Sequence, residues 1–439
     1  MSLKQVFCNS PWFHLEIEQS GLYNFCSFTQ DARINDQRIQ DTEPMQFMNS
    51  HEFKKIRSNI LSGQPIKNCE ACYLAEQREK VFGRRKMLIR SGIFTENFEA
   101  SLLQSPHLKE FEWTENNLGN IRTPIKFLKV NLGSTCNASC VYCHPKFSNR
   151  LANDYIKLGW TNDLNTLYDS AGGHGNFHKD SDTWQKFLSA FDTDFSQVDF
   201  LQILGGETLY EPKFYELMDH LIKTGRSRHI TLGVTTNGSV WRDDFVDYFD
   251  KFNGVSLGVS IDCDHPVNDY LRYPTKTSII KQTISKFQSI PNVFVLLRPT
   301  PTLFSVGYLD TLVDYMMETG LHSETCQVLT RPQAMQVQVM PQSLRPWAID
   351  RLERVLDKYD LKNKKDLSVV NTRVPEAQPA NIANDILSYI NILKNEPVIS
   401  NLVVINQLKQ MLQGFEQLRG NSIKNLAPEY KEWLDEIGI

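Results

Sequence analysis

The stretch IKFLKVNLGSTCNASCVYCHP, residues 125–145, joins two signals in twenty-one residues. Its opening, IKFLKVNL (125–132), is rich in apolar and β-branched residues and is bounded by Pro124 and Gly133, the marks of a short strand. Just past the strand end come Cys136, Cys140 and Cys143, spaced C-x3-C-x2-C. A loop following a strand end can wrap three thiolates so spaced around a small object. On a cubane of four irons, three cysteines leave one iron without a protein ligand, and an open position separates a catalytic metal site from a closed structural one. Zinc is the other reading of the same residues, with His144 as a fourth ligand.

Further along, the same kind of strand recurs. VDFLQIL (198–204), HITLGVT (229–235), GVSLGVSI (254–261), NVFVLLR (292–298) and MQVQVM (335–340) are short apolar runs. Helical stretches separate several of them, among them PKFYELMDHLIKTG (212–225) and GYLDTLVDYMMETG (307–320), both ending in glycine. In the first, Phe214, Leu217, Met218 and Leu221 recur at the spacing of one helix face. Strand and helix alternating about six times predict a parallel α/β sheet, a partial (β/α)6 barrel, over 125–345. Chemistry in such sheets is built on the loops after the strand C-termini, where the cysteine triplet stands. Residues 1–90 read as a small cysteine-punctuated domain ending in a helix over AEQREKVFGRRKM, 91–124 as a connector, and 346–439 as a helical extension. Ile349, Leu352, Val355, Leu356 and Tyr359 form one stripe of that extension.

Composition narrows the function. The 439 residues are 41% hydrophobic and 22% charged, a folded profile long enough for more than one core. Forty-seven Lys and Arg against fifty-one Asp and Glu leave a net charge of −4, which supplies no electrostatic attraction to nucleic acid or anionic membrane. No apolar run approaches the ~20 residues of a membrane span, and MSLKQVFCNSPWFHLE lacks a signal-peptide core, so a cytoplasmic address is expected. In a reducing compartment the nine cysteines read as metal ligands or thiols rather than disulfides.

Three further motifs follow the triplet in order. Gly205-Gly206-Glu207 ends the second run, Thr236-Asn237-Gly238 the third and Ser260-Ile261-Asp262 the fourth, with Arg272 ten residues beyond Asp262. Each alone is ordinary turn chemistry. Together on successive strands they resemble the radical S-adenosylmethionine (SAM) superfamily, over roughly residues 125–340. The resemblance implies a catalytic [4Fe–4S] cluster on Cys136, Cys140 and Cys143, whose open iron binds the amino and carboxylate groups of SAM. It implies reductive cleavage of SAM to a 5′-deoxyadenosyl radical, which takes a hydrogen atom from a substrate. By the same resemblance Tyr142 is the aromatic residue before the last cysteine, Gly205 and Gly206 let the backbone approach SAM, and Glu207 accepts from its ammonium. Asn237 belongs to the turn, Ser260 and Asp262 to the ribose segment, and Arg272 would meet the SAM carboxylate. An external electron donor such as flavodoxin or ferredoxin is implied.

Upstream, Cys8, then G-x4-C from Gly21 to Cys26, then Cys69 and Cys72 as C-x2-C resemble the opening of the SPASM pattern, or its one-cluster twitch form. That implies an auxiliary [4Fe–4S] cluster, since four cysteines fill one cubane. Here the set precedes the barrel, whereas the better-known arrangement follows it. A structural zinc knuckle on the same four cysteines, with Trp12 in its small core, is the alternative. The expected reaction is a net oxidation of a peptide or protein, with oxidation of a carbohydrate or other small molecule, redox-neutral peptide epimerisation and a zinc-binding scaffold as alternatives. His174, His178, Cys326 and the basic run Gly83-Arg84-Arg85-Lys86 are read as solvated or inert. So is Cys263, beside Asp262, save that in an epimerisation a thiol such as Cys263 or Cys326 would return the hydrogen atom.

Overall fold

The computed structural model describes residues 3–26, 36–70, 72–73, 87–88, 91–94, 97–164, 175–324, 326, 329–363 and 382–439. Almost all of the helix expected at the end of the N-terminal region, the basic run 83–86 and His174 lie outside them.

The runs at 125, 198, 229, 254 and 292 become the strands β3 (Phe127–Asn131), β4 (Phe200–Leu204), β5 (Thr231–Thr236), β6 (Gly254–Val259) and β7 (Val293–Leu297). They are parallel neighbours in that order, and β8 (His322–Ser323) continues the sheet beyond β7. Successive side chains of a strand face opposite ways, and the register aligns Leu128, Leu201, Leu232 and Val255 in one row of fully buried side chains. The row beside it on the other face, Lys129, Gln202, Gly233 and Ser256, is polar or small. Helices Pro212–Lys223 and Leu309–Thr319 stand where the apolar spacing predicts them, each followed by a left-handed glycine at or next to its C-cap, Gly225 and Gly320.

The sixth strand is not where the sequence suggests. MQVQVM folds as two 3-10 turns, Gln333–Met335 and Val337–Val339, although the inward burial of Met335, Val337 and Val339 alternates as in a strand. The backbone there bonds to other partners. Arg345 Nε donates to the Met340 carbonyl at 3.2 Å, Arg345 Nη2 to that of Gln338 at 3.1 Å, and Ile399 N to that of Gln338 at 3.0 Å. With those carbonyls taken, the two-residue β8 is the strand that pairs with β7.

The N-terminal region enters the same sheet. Strand β1 (His14–Ile17) runs parallel to β3, with Leu15 opposite Leu128 and Ile17 opposite Val130, and β2 (Tyr23–Asn24) lies antiparallel outside it. Phe7, Trp12, Leu15 and Ile17 belong to one continuous core with Leu128 and Val130. The stretch expected as a connector holds two helices, Phe98–Gln104 and Leu108–Asn116; Phe98 and Phe111 stack edge-on with Phe7. Beyond the sheet the chain is helical, with Arg345–Lys358, Ile382–Asn395 and Leu402–Arg419. No described helix is long and apolar enough to cross a membrane.

Candidate active site

Every motif picked out in the sequence between 131 and 262 lies at the C-terminal ends of β3 to β6, because parallel strands put all their following loops on one edge. The cysteine loop leaves β3 through Gly133, whose φ of 119° is open only to glycine. Backbone and side-chain bonds then fix the loop at almost every residue. Cys136 N donates to Asn149 Oδ1 at 3.0 Å, Ser139 N to the Tyr273 carbonyl at 2.7 Å, Val141 N to that of Leu271 at 2.8 Å, and Ser148 Oγ to that of Ala138 at 2.7 Å.

Two glycines and a glutamate lie beneath the loop. A Cβ on Gly206 would stand 2.5 Å from the Thr135 carbonyl oxygen and 2.8 Å from Cys136 Cβ, so this position has no room for a side chain. Glu207 N donates to that same Thr135 carbonyl at 2.8 Å. The Glu207 carboxylate is fully buried. Its Oε1 accepts from Thr236 Oγ1 at 2.6 Å and Leu209 N at 3.1 Å, and its Oε2 from Asn237 N at 2.5 Å. Burial raises its pKa to about 7, against the pull of these three donors. Glu207 thus welds the GGE turn to the TNG turn. Asn237 Nδ2 in turn donates to Asn137 Oδ1 at 2.7 Å, and Asn137 Nδ2 to Ser239 Oγ at 2.9 Å, which ties the TNG turn to the cysteine loop itself.

On the far side of the loop, Tyr142, Asp262 and Arg272 meet. Arg272 clasps both oxygens of the fully buried Asp262, Nη2 to Oδ1 at 2.8 Å and Nε to Oδ2 at 3.0 Å. Tyr142 Oη donates to Asp262 Oδ2 at 2.5 Å, Thr300 N to Oδ1 at 2.8 Å, and the guanidinium lies 5.5 Å over the Tyr142 ring. Two of Arg272's nitrogens are therefore spent on Asp262, where the sequence suggested a SAM carboxylate. Ser260 is half-buried at the end of β6, its N–H bonded to the Thr236 carbonyl.

Among the described residues, no group of three or more Cys, His, Asp or Glu side chains is gathered at the spacing of a bound metal ion. The cysteine loop nonetheless suits a three-thiolate cluster. Cys136, Cys140 and Cys143 come from one loop, and they lie within each other's field. Burial first, and then the neighbouring thiol of Cys140, push the Cys136 thiol well above its usual range and that of Cys143 up to about 12. Burial likewise raises Cys140, with the Arg272 guanidinium opposing it. Three half-buried thiols on one loop that cannot ionise together without a counter-charge would be given one by an iron cluster.

Cys263 is fully buried with its pKa far above the usual thiol value, chiefly through burial, and is closed to solvent. Cys326 is buried, its N–H donating to Asp385 Oδ2 at 2.7 Å. In the N-terminal region Cys8 and Cys72 are buried, Cys26 and Cys69 half-buried. His178, read from sequence as part of a solvated loop, is buried beside Gly133, and burial lowers its pKa.

Sequence reasoning passed over the charges on the polar face of the sheet. Lys129 Nζ pairs with Glu16 Oε1 at 3.0 Å, and Arg298 Nε with Glu324 Oε2 at 3.0 Å. A lysine amid FLKVN was the available signal, because strands buried on both faces read as unbroken apolar runs.

Residues 130–296 match the radical SAM superfamily profile. No curated protein matches the chain. Among solved structures, SuiB of Streptococcus suis bound to precursor peptide SuiA is 12% identical, covering 80% of this chain and 70% of that one at a TM-score of 0.37. Native anSMEcpe with bound AdoMet is 15% identical, with 54% of this chain and 62% of that one covered, at 0.37. TYW1 with a lysine-pyruvate adduct is 17% identical, with coverage of 55% and 72%, at 0.25.

Proposed function

We propose that the chain, whose residues 130–296 match the radical SAM superfamily, is a radical SAM enzyme that removes hydrogen from a peptide or protein substrate. The observation that carries this reading is the one loop bearing Cys136, Cys140 and Cys143, seated on Gly206 and held to the GGE and TNG turns. When bound, the cluster and SAM supply a 5′-deoxyadenosyl radical, the agent of hydrogen-atom abstraction.

The chain's own residues position that chemistry. Gly205 and Gly206 let the β3 loop that carries the cysteines pack directly on the GGE turn. Glu207, held by Thr236, Leu209 and Asn237, fixes the spacing between the GGE and TNG turns. Ser260 stands at the end of β6 for the ribose. Asp262 and Tyr142 are locked by Arg272, so the wall they form is rigid when SAM arrives. Arg272 Nη1 is the guanidinium nitrogen left for a carboxylate.

We assign Cys8, Cys26, Cys69 and Cys72 to a second [4Fe–4S] cluster, four thiols being the number that closes one cubane. A closed cluster suits electron transfer, and with it a net loss of two hydrogens from the substrate. Iron analysis tests the assignment: about eight irons per chain are expected, and about four in the Cys136, Cys140 and Cys143 triple alanine variant. Zinc in place of that residual iron would make the N-terminal site structural. Mass spectrometry of co-expressed candidate peptides in heavy water tests the reaction. Loss of a hydrogen pair is expected; gain of one deuterium without loss would make the reaction an epimerisation.

A further inference from the structure

Arg419 is the last residue of the helix Leu402–Arg419, more than one hundred residues beyond the matched domain, yet it ends inside the cysteine loop. Its Nη2 donates to the Ser139 carbonyl at 2.7 Å and to Ser139 Oγ at 3.1 Å. That carbonyl belongs to the peptide bond whose nitrogen is Cys140's. The guanidinium stacks 3.9 Å over the Phe415 ring and 4.7 Å over Tyr273, and the side chain is 1% exposed.

Its charge balance is thin. Asp154 Oδ2 lies 3.5 Å from Nη2 and is shared with Ser139 Oγ, which donates to it. Among the described residues, Arg419 Nε and Nη1 have no hydrogen-bond partner. Arg272, the other cation near Cys140, is cancelled by both oxygens of Asp262. A buried cation so weakly paired costs several kcal/mol unless another anion compensates it. A cluster carrying three thiolates is a net anion, and more so after reduction.

Resting on the radical SAM reading above, we propose that Arg419 is a positioning residue of the catalytic centre. It anchors the loop between Cys136 and Cys140, and its buried charge raises the reduction potential of the cluster that loop holds. Cluster potential follows net charge and hydrogen bonding near the sulfurs, so removing a cation should lower it and removing an anion should raise it. The C-terminal helices would thereby set how readily the centre accepts its electron.

The test is an EPR-monitored redox titration of reconstituted full-length protein, with iron counted in each sample. Arg419→Gln should shift the cluster potential to more negative values, Arg419→Lys should return it most of the way, and Asp154→Asn should shift it the opposite way, to more positive values. Loss of iron in Arg419→Gln that is restored in Arg419→Lys also supports the anchoring role. Should both Arg419 variants fail to fold, the sign of the Asp154→Asn shift decides. Unmoved potentials in fully loaded variants, or shifts of the same sign in Arg419→Gln and Asp154→Asn, overturn the proposal while leaving the enzyme class standing. A wild-type protein that takes up no cluster at Cys136, Cys140 and Cys143 overturns both.

Discussion

Gly206 shows how closely single residues set this centre. An added methyl would collide with the Thr135 carbonyl and Cys136 Cβ, both backbone-bound and unable to yield. On Gly205 the nearest atom to an added Cβ is the Gly133 carbonyl oxygen at 3.3 Å, which a small adjustment relieves. Gly206→Ala should therefore cost roughly 1–3 kcal/mol by overpacking and reduce iron at the catalytic site, with Gly205→Ala the milder of the two. Denaturant melts and iron counts compare them directly; equal losses would mean the loop does not rest on Gly206. Asp262→Asn is the second change at this scale. It leaves the buried Arg272 guanidinium without its counter-charge, which typically costs about 3–5 kcal/mol. The motif glycines and cysteines were legible in the sequence because their types are rare and their spacing fixed. The bonds of Glu207 to Thr236, Leu209 and Asn237 were not, since sequence order says nothing of which turns touch. Nor did it show that Arg272 would be spent on Asp262.

At the scale of elements, legibility follows hydrophobic pattern. The five runs that became β3 to β7 are apolar over a full strand length, and the helices at 212 and 309 carry one continuous face. The run at 335–340 had the alternation of a strand and its inward burial, but Arg345, just past its end in the chain, decides its hydrogen bonding. His322–Ser323 is too short and polar to leave any pattern. Arg57 plays the part of Arg345 at the other end of the chain. Fully buried, it donates to the carbonyls of Gly119 at 2.6 Å, Pro11 at 2.8 Å and Met48 at 2.6 Å, and burial lowers its pKa to about 9. Arg57→Met would strand three buried carbonyls, each costing about 1–3 kcal/mol. The variant should lose the folded N-terminal region at temperatures where the wild type keeps it, read as earlier protease cleavage before residue 124; unchanged cleavage would contradict the account.

For the whole molecule, β1 is the decisive element. It pairs with β3, and its Leu15 and Ile17 lie in the same core as the central strands. A fragment of residues 1–90 gives up that pairing, and a fragment of 91–439 exposes the edge of β3. Neither half should show a cooperative melt alone, whereas two independent melts would restore a separable N-terminal domain. The C-terminal helices are joined to the centre in the same way, through Arg419 at Ser139. The central claim for the whole chain is that it cleaves SAM at the Cys136, Cys140 and Cys143 site. The direct measurement is 5′-deoxyadenosine released by anaerobically reconstituted protein given SAM and a strong reductant. Wild type should form it, and the protein with Cys136, Cys140 and Cys143 all replaced by Ala should form none. Product from the triple variant at the wild-type rate would contradict the account.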